Sequence, residues 1–401
     1  MTDAPGAHPG PAAALMGMSA RQLRGVVAAI AAVSIFAFGL SLSLPLISIN
    51  LERMGASGLV IGLNGAASAV AILASGFVMP PLLRHFSAPL LMTVGAVSMC
   101  LLLPVFPLFP DPWIWMGLRF LFGIMVTALF FCSELWIVAA SPPGKRGLVI
   151  GVYGVFLSLG FLAGPALLSV IGTEGKEPFL LGAAFALLAL PPIVFAWRAA
   201  PDPGEATESA GAVRDVLNFF RTDPAILWAV ALFGMIEFGA MGLMPVWAIR
   251  VGQEEAAALI LVALIAAGNV VMQVPMGWIG DRLDRRRLLG FCAFVCLSAA
   301  ALFPLLSATV WPLWIMAAVW GGLVVGLYTF SLNELGHRYS GQMLARATGA
   351  VMSAYGLGSL VAPPLLGWAM DAAPPHGMFW VVAAGSAAYI GLLSLRRRRT
   401  A

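Results

Sequence analysis

Residues 25–48 have the sequence GVVAAIAAVSIFAFGLSLSLPLIS, a stretch that contains no charged side chain. A helix of this length rises about 36 Å, enough to cross the roughly 30 Å hydrocarbon core of a bilayer. Arg21 and Arg24 precede this stretch, as basic residues precede the apolar core of a secretory signal peptide. The stretch is too long for such a core, however, and further apolar stretches follow it along the chain. It therefore predicts a retained first transmembrane helix.

The rest of the chain repeats this pattern, and the breaks between apolar stretches carry Pro, Gly or charged residues. About 20 apolar residues suffice for one membrane-spanning helix. The sequence therefore predicts an all-α polytopic membrane protein with twelve transmembrane helices. They are expected at 25–48, 57–83, 90–109, 113–140, 147–172, 179–199, 224–249, 256–279, 288–309, 311–337, 347–370 and 378–395.

The composition supports the same class. Of 401 residues, 61% are hydrophobic and 10% are charged, whereas soluble domains are about 45–50% apolar and about 25% charged. So few charges cannot cover a soluble particle of this size, which excludes a soluble enzyme, a nucleic-acid binder and a disordered protein. The four cysteines all lie inside apolar stretches without further ligands nearby, so neither a disulfide framework nor a metal site is expected.

One long polar connection, at 201–223, divides the predicted helices into six and six. We expect a disordered N-terminus at 1–20, half-domains at 21–200 and 224–395 joined by this linker, and a basic tail at 396–401. Of the 22 basic residues, 18 fall on the side of the termini, three on the other side, and Arg119 lies inside a span. Positive loops face the cytoplasm, so this bias predicts an inner-membrane protein with both termini cytoplasmic.

The two predicted halves share sequence at an offset of about 200 residues. Several matches in order are hard to attribute to chance, so they indicate two pseudo-symmetric six-helix halves, with a substrate site between them near the membrane midplane. The matches pair Phe38, Gly39, Pro45, Glu134 and Arg146 with Phe238, Gly239, Pro245, Glu334 and Arg346.

Three motifs resemble those of the major facilitator superfamily. The segment GWIGDRLDRRR at 277–287 resembles the family's G-x-L-A-D-R-x-G-R-R loop, although the equivalent segment at 76–85 lacks the aspartate. Arg119 with Gly123 resembles the helix-4 arginine motif. The third motif is the G-x-x-x-G-P packing motif of helix 5, with a counterpart in helix 11; its residues are Gly160, Gly164 and Pro165, then Gly358 and Pro363.

Within that family, residues 119–123, 133–136, 145–147 and 268–277 resemble the YcaD-like group of uncharacterised bacterial transporters. The resemblance implies the major facilitator fold and alternating access without a cofactor, and it leaves the substrate unnamed. It also implies a network of charges that closes the cytoplasmic side. That network comprises Asp281, Arg282, Arg285, Glu134, Arg146, Glu334 and Arg346.

Ionisable groups inside a span are costly and are functional candidates. Glu237 lies 13 residues into helix 7, about 20 Å from its start, between Gly234 and Gly239 in a helix that can unwind locally. Burial there favours the protonated carboxyl, so Glu237 is predicted to carry a proton, to anchor a cationic substrate, or to make a structural hydrogen bond. Arg119 is predicted to contact an anionic substrate, to steer the proton of Glu237, or to make a structural pair.

Glu134 and Glu334 lie nearer the cytoplasmic ends, each 12 residues before an arginine, Arg146 or Arg346. We expect such pairs to form when the cytoplasmic side closes and to separate when it opens, so gating is favoured over substrate contact. Polar uncharged residues of the spans are either cavity groups or hydrogen-bonding contacts between helices. The cavity candidates are Asn269, Gln273, Tyr328 and Ser41, with Tyr355 among the remaining polar groups.

No G-x-x-x-x-G-K-[ST] loop is present, so ATP does not drive transport through this chain. The sequence predicts a secondary transporter of a small organic molecule, coupled to protons, monomeric and without nucleic-acid partners, with export slightly favoured by the helix-5 motif. A uniporter or an importer of a metabolite with the same fold is the alternative, and a membrane receptor is a remote one. The identity of the substrate lies beyond the sequence.

Overall fold

The structure is a computed structural model and describes residues 18–142, 146–200, 213–280 and 282–400. Within these ranges it contains twelve helices long and apolar enough to cross a membrane, which confirms the predicted fold class. We name them α1 to α12 in chain order. They are Ala20–Arg53, Gly58–His85, Ala88–Leu108, Pro112–Ala140, Leu148–Ile171, Glu177–Phe195, Pro224–Arg250, Glu255–Gly280, Arg285–Leu306, Trp311–Arg338, Arg346–Ala372 and Gly377–Leu395.

Several helices extend past their apolar stretches. α1 was expected at 25–48 but begins at Ala20, because Ser19 and Gln22 form a reciprocal capping box at its N-terminus. It continues to Arg53, so two charged residues belong to its last turn. α12 likewise remains helical to Thr400, through the segment that was expected to be a basic tail.

An even number of spans brings both ends of the chain to one side of the bundle. We call this side the terminal face and the other side the opposite face. The helix Val213–Thr222, within the predicted linker, lies at the terminal face and packs on α7 and α11. It has a strongly amphipathic sequence, and Phe219 of this helix is buried, so part of the linker is structured against the second half.

The helix contacts follow the internal repeat. In the first half α1 packs on α5 and α2 on α4, and in the second half α7 packs on α11 and α8 on α10. The halves meet along two further pairs, α2 with α11 and α5 with α8, which the same pseudo-symmetry exchanges. The two halves are therefore related in packing as well as in sequence.

Glycines of the helix-5 motif and of its counterpart lie where helices approach most closely. A methyl group on Gly160 would lie 2.7 Å from Ala37 Cβ, and one on Gly164 would lie 2.5 Å from the backbone nitrogen of Leu42. In the second half, a methyl group on Gly358 would collide with the backbone of α7. The structure thus places these glycines in the α1–α5 and α7–α11 contacts, with Pro165 and Pro363 inside the same helices.

Three of the described spans depart from regular α-helix near mid-membrane, and α6 does so through a 3-10 turn at Leu187–Ala189. α7 contains a π-helical segment, Met235–Ala240, and α10 has a turn at Val325 between two α-helical parts. Single π turns inside α-helices are frequent at functional sites. The π segment includes Glu237.

Candidate functional site

The halves are joined by ion pairs at the opposite face. Arg250 at the end of α7 binds Glu52 of α1 through two parallel hydrogen bonds, Nε to Oε1 and Nη2 to Oε2, each 2.8 Å long. The Nη1 atom of Arg250 also lies 3.2 Å from Oδ1 of Asp371 in α11. One arginine therefore holds a carboxylate from each half.

Asp371 makes a second link between the halves. Its Oδ1 and Oδ2 atoms accept hydrogen bonds from the backbone amides of Gly58 and Leu59, at 2.9 and 3.0 Å. These amides begin α2 and have no partners within their own helix. A carboxylate of the second half thus caps a helix of the first.

Glu255, at the start of α8, provides a third link. It accepts hydrogen bonds from the backbone nitrogen and hydroxyl of Thr173, at 2.9 and 2.6 Å, and it pairs with Arg53. Arg53 also lies 3.7 Å from Glu174. Charged residues from both halves therefore close the opposite face. Sequence analysis did not predict this arrangement, because it counted Arg53 and Arg250 only among the three basic residues on the side away from the termini.

Close backbone packing continues this closure into the membrane. A methyl group on Gly62 of α2 would lie 2.8 Å from the Cα atom of Pro364 in α11, and the backbones of Gly58 and Gly367 are equally close. Further along the same pair of helices, Gly356 packs on Leu73. The α2–α11 contact leaves no space for a solute to pass.

Glu237 lies about halfway across α7, and its Oε2 atom accepts a hydrogen bond of 2.6 Å from the hydroxyl of Tyr355 in α11. Three further aromatic rings surround this pair. The ring centroids of Tyr328 and Tyr355 are 6.3 Å apart, and Phe233 packs on both, at 5.4 and 6.0 Å. Phe238 packs on Tyr355 from the other side, at 6.2 Å. The predicted candidates Glu237 and Tyr328 thus belong to one cluster.

Glu134 lies on α4, about 9 Å from its end at the terminal face. Its side chain is exposed, and it lies near enough to Tyr328 of the other half for its charge to act on that residue, without a hydrogen bond between them. It also interacts with Tyr153, whose hydroxyl lies 2.9 Å from that of Ser133. An exposed group that faces the other half indicates a cleft between the halves at the terminal face.

Arg119 is completely buried between α4 and α2. Its Nε atom donates to Ser68 Oγ at 2.8 Å, and its Nη1 atom donates to Asn64 Oδ1 at 3.3 Å. Its Nη2 atom has no hydrogen-bond partner among the described residues, and no carboxylate there pairs with it. The guanidinium is therefore a buried positive charge held by neutral groups.

The other cavity candidates lie apart from this cluster. Gln273 accepts a hydrogen bond of 3.3 Å from Ser158, which joins α8 to α5, and Asn269 lies half-buried one turn away on α8. Ser41 directs its hydroxyl at the carbonyl oxygens of Phe38 and Gly160, 3.2 Å from each, inside the α1–α5 contact. Its polar atom is used in helix packing.

Charges at the terminal face gather within the second half. Glu334 lies 2.5 Å from Nη2 of Arg338 and 3.5 Å from Nη1 of Arg285. Arg338 also binds Asp223, at 2.6 Å. Arg346 is exposed and makes no ion pair with Glu334 in the described structure, so the expected pair is not formed in this conformation, where two nearer arginines bind that carboxylate.

Three further members of the predicted network have different outcomes. Arg282 stacks its guanidinium over the ring of Trp278, 3.9 Å from the centroid. Asp281 lies outside the described residues. The side chain of Arg146 lies outside them as well, so the structure gives no partner for either.

The chain matches the sequence model of the Major Facilitator Superfamily over residues 29–336 and 252–401. It is 26% identical over 359 residues to a Bacillus subtilis (strain 168) protein named uncharacterised MFS-type transporter YfkF, covering 87% of this chain and 90% of that protein. It is 23% identical over 283 residues to the similarly named YE1530 of Yersinia enterocolitica, covering 71% and 72%.

Solved structures share the fold. The nucleoside transporter NupG superposes with a TM-score of 0.75 at 11% identity, covering 94% of this chain and 99% of that one. A bacterial homologue of the human lysosomal transporter Spinster, in an inward-facing and unoccupied conformation, superposes with a TM-score of 0.68 at 15% identity, covering 94% and 96%. Together with the family match along nearly the whole chain, these findings show that the protein is a membrane transporter that belongs to the major facilitator superfamily.

Proposed function

We propose that the protein is a proton-coupled secondary transporter that moves a small organic molecule by alternating access. The pair of Glu237 and Tyr355 is the observation that carries this proposal. A carboxyl group at mid-depth, in a π-helical segment and beside a cleft, can take up a proton from one side and release it to the other. The hydroxyl of Tyr355 stabilises the deprotonated form during the exchange.

The proposal takes the terminal face as cytoplasmic, because the basic loop residues lie there. The structure then corresponds to the state open to the cytoplasm, with ion pairs closing the outer side. Export is the favoured direction, since the G-x-x-x-G-P motif of α5 resembles the motif of antiporters. In the alternate state, the charges of Glu134, Glu334 and their arginine partners close the cytoplasmic side.

Arg119 takes part in the same cycle. Burying a guanidinium without a carboxylate costs several kcal/mol, so a functional requirement explains its retention. We propose that its positive charge favours deprotonation of Glu237 when the halves move and the pathway opens toward the outer side.

Transport by purified protein in liposomes tests the function. A thermal-shift screen of metabolites and drugs selects compounds that bind, and their flux is then measured with and without an imposed pH gradient. We expect flux that follows the gradient in the wild type and is lost in Glu237→Gln, which mimics a permanently protonated carboxyl. Glu177→Gln, at an exposed glutamate at the start of α6, is the matched control and keeps full flux.

Two outcomes would overturn the coupling. Flux that persists at the same initial rate after the gradient is collapsed identifies a uniporter. Gradient-driven flux that survives in Glu237→Gln excludes Glu237 as the proton carrier.

A further inference from the structure

We propose that the transported molecule is an organic cation with an apolar body, bound between Glu237 and Glu134 against the rings of Tyr328 and Tyr355. This inference rests on the proposed transport function and names its substrate class. It is argued from the charges of the cleft, from its aromatic rings, and from the position of the two carboxylates on opposite halves.

The cleft holds the carboxyl groups of Glu237 and Glu134, and no basic side chain that the structure describes pairs with either of them. The described lysine and arginine side chains, a set without Arg146, all lie beyond ion-pair distance of both carboxylates. Arg119 is buried and bound by Ser68 and Asn64 of α2, and it pairs with neither carboxylate. An anionic solute would be repelled here, and a neutral one would leave the carboxylates uncompensated when the cleft closes.

Aromatic rings beside a carboxylate favour an organic cation over a metal ion. The face of an aromatic ring attracts a cation within about 6 Å of its centroid, and the Tyr328 and Tyr355 rings are half-buried, so part of each remains accessible. Phe233 and Phe238 are buried behind them and fix their orientation. Metal ions such as Na⁺ or Mg²⁺ require several oxygen ligands instead.

The two carboxylates come from different halves, and both lie near enough to Tyr328 for their charges to act on it, although only Glu237 is hydrogen-bonded within the aromatic cluster. A single cation placed beside Tyr328 is therefore attracted by both halves and favours closure of the terminal face over it. Such a cation also competes with a proton for Glu237. Competition of this kind couples the two movements directly, because the carboxylate releases one ligand before it takes the other.

Two ions of the same shape and opposite charge test the inference on the purified full-length protein. Tetraphenylphosphonium is the cationic probe and tetraphenylborate the anionic one, with binding measured by equilibrium titration and by the shift in melting temperature. We expect the cation to bind and to raise the melting temperature, and the anion to do neither. Equal binding of both ions would overturn the inference.

Substitutions locate the site. Removing the charge with Glu237→Gln should weaken binding of tetraphenylphosphonium by about 30-fold or more, since losing one partner of a desolvated charge pair is costly. Glu134→Gln should weaken it in the same direction. Tyr328→Ala should cost roughly threefold to 30-fold through loss of the ring, whereas Tyr328→Phe keeps the ring and the affinity.

Glu237→Asp retains the charge and separates a loss of binding from a loss of folding. Exposed Glu177→Gln is the matched control and should bind as the wild type does. Unchanged affinity in both Glu237→Gln and Glu134→Gln would overturn the proposed site.

The liposome assay distinguishes this inference from the transport function. Gradient-driven flux of a neutral or anionic compound, without binding of tetraphenylphosphonium, overturns the cation inference and leaves the transport function intact. Binding of tetraphenylphosphonium that requires Glu237, without flux of any bound compound, supports the site and counts against the transport function.

Discussion

Glu52 and Arg250 form a two-point ion pair across the opposite face, with both N–O distances at 2.8 Å. Glu52 lies in the last turn of α1, and Arg250 ends α7, which is the equivalent helix of the second half. Equivalent helix ends thus carry opposite charges and bind each other. If the halves rock apart at this face during transport, this pair has to separate.

Neutralising this pair is expected to shift the protein toward the state open at the opposite face. Glu52→Gln removes an interaction worth about 1 kcal/mol at a partly exposed site. This free energy corresponds to a roughly fivefold change in the ratio of molecules open to molecules closed at the opposite face. The shift is measured as the distance between spin labels attached to cysteines at Lys176 and Ala308, one in each half. A Cys100→Ala background removes the most accessible native cysteine.

The charge-reversed double variant provides the control. Because a glutamate at position 250 would face Asp371, the swap is made in an Asp371→Asn background. There, Glu52→Arg combined with Arg250→Glu can form the pair again, so it should give a shorter label distance than either single change in the same background. A double variant as open as the singles would contradict the direct role of the pair.

Asp371 gives a second test at the same face. Asp371→Ala leaves the backbone amides of Gly58 and Leu59 without their acceptor, and loss of a helix cap costs about 0.5–2 kcal/mol. Because this cap joins two halves, we expect the same longer label distance as for Glu52→Gln, measured in the same way.

Asp111 is the matched control for this prediction. It caps α4 within its own half, accepting from the amides of Trp113 and Ile114 at 2.8 and 2.9 Å. Asp111→Ala should lower the melting temperature without lengthening the label distance. A similar lengthening in both variants would mean that the effect reports loss of stability rather than opening.

These contacts mark the limit of what the sequence predicts. The twelve helices follow from stretches of about 20 apolar residues, and the structure confirms them. The partners of Glu52 and Arg53, however, lie about 200 residues away, at Arg250 and Glu255. Pairs between charges so far apart in the chain have no local pattern, so only Arg53 and Arg250 entered the sequence analysis, as basic residues counted for the topology.

At the candidate site, too, some features follow from the sequence and others appear only in the structure. The apolar surroundings of Glu237 in the sequence were enough to single it out, because a charge inside a span is rare. The neighbouring Gly234 and Gly239 indicated that the helix can unwind there, but the π-helical form of Met235–Ala240 and its packing on α11 were not predicted. Glu334 and Arg338 are four residues apart, and residues four apart on a helix are neighbours, so the sequence also allowed this pair. The internal repeat instead favoured Arg346 as the partner of Glu334.

The close contact of α1 with α5 predicts a sensitive glycine. Gly164→Ala places a methyl group against Ser41 and Leu42, and overpacking of this kind costs about 1–3 kcal/mol. We expect a lower melting temperature in detergent solution. Gly154→Ala, in the same helix, meets nothing within 4 Å, so it should leave the melting temperature unchanged or raise it. Equal effects of the two substitutions would contradict the packing argument.

His376 predicts how stability depends on pH. It lies between α11 and α12 at the opposite face, where its Nδ1 atom accepts a hydrogen bond of 3.2 Å from the indole N–H of Trp247. Burial lowers the pKa of His376 below its ordinary value. The unfolded chain then binds the proton more readily than the folded protein does. The contribution of neutral His376 to the free energy of unfolding is therefore fully present above about pH 6.5 and is lost as the pH falls below that value.

The test compares melting temperatures at pH 8 and pH 5. His376→Asn keeps an acceptor for Trp247 and cannot titrate, so its melting temperature should fall less between these values than that of the wild type. His85→Gln, at an exposed histidine of the terminal face, should behave as the wild type does. If the melting temperature falls equally in the wild type and in His376→Asn, protonation of His376 does not cause the loss of stability at acid pH. The hydrogen bond from Trp247 would then contribute equally to stability whether or not the imidazole is protonated.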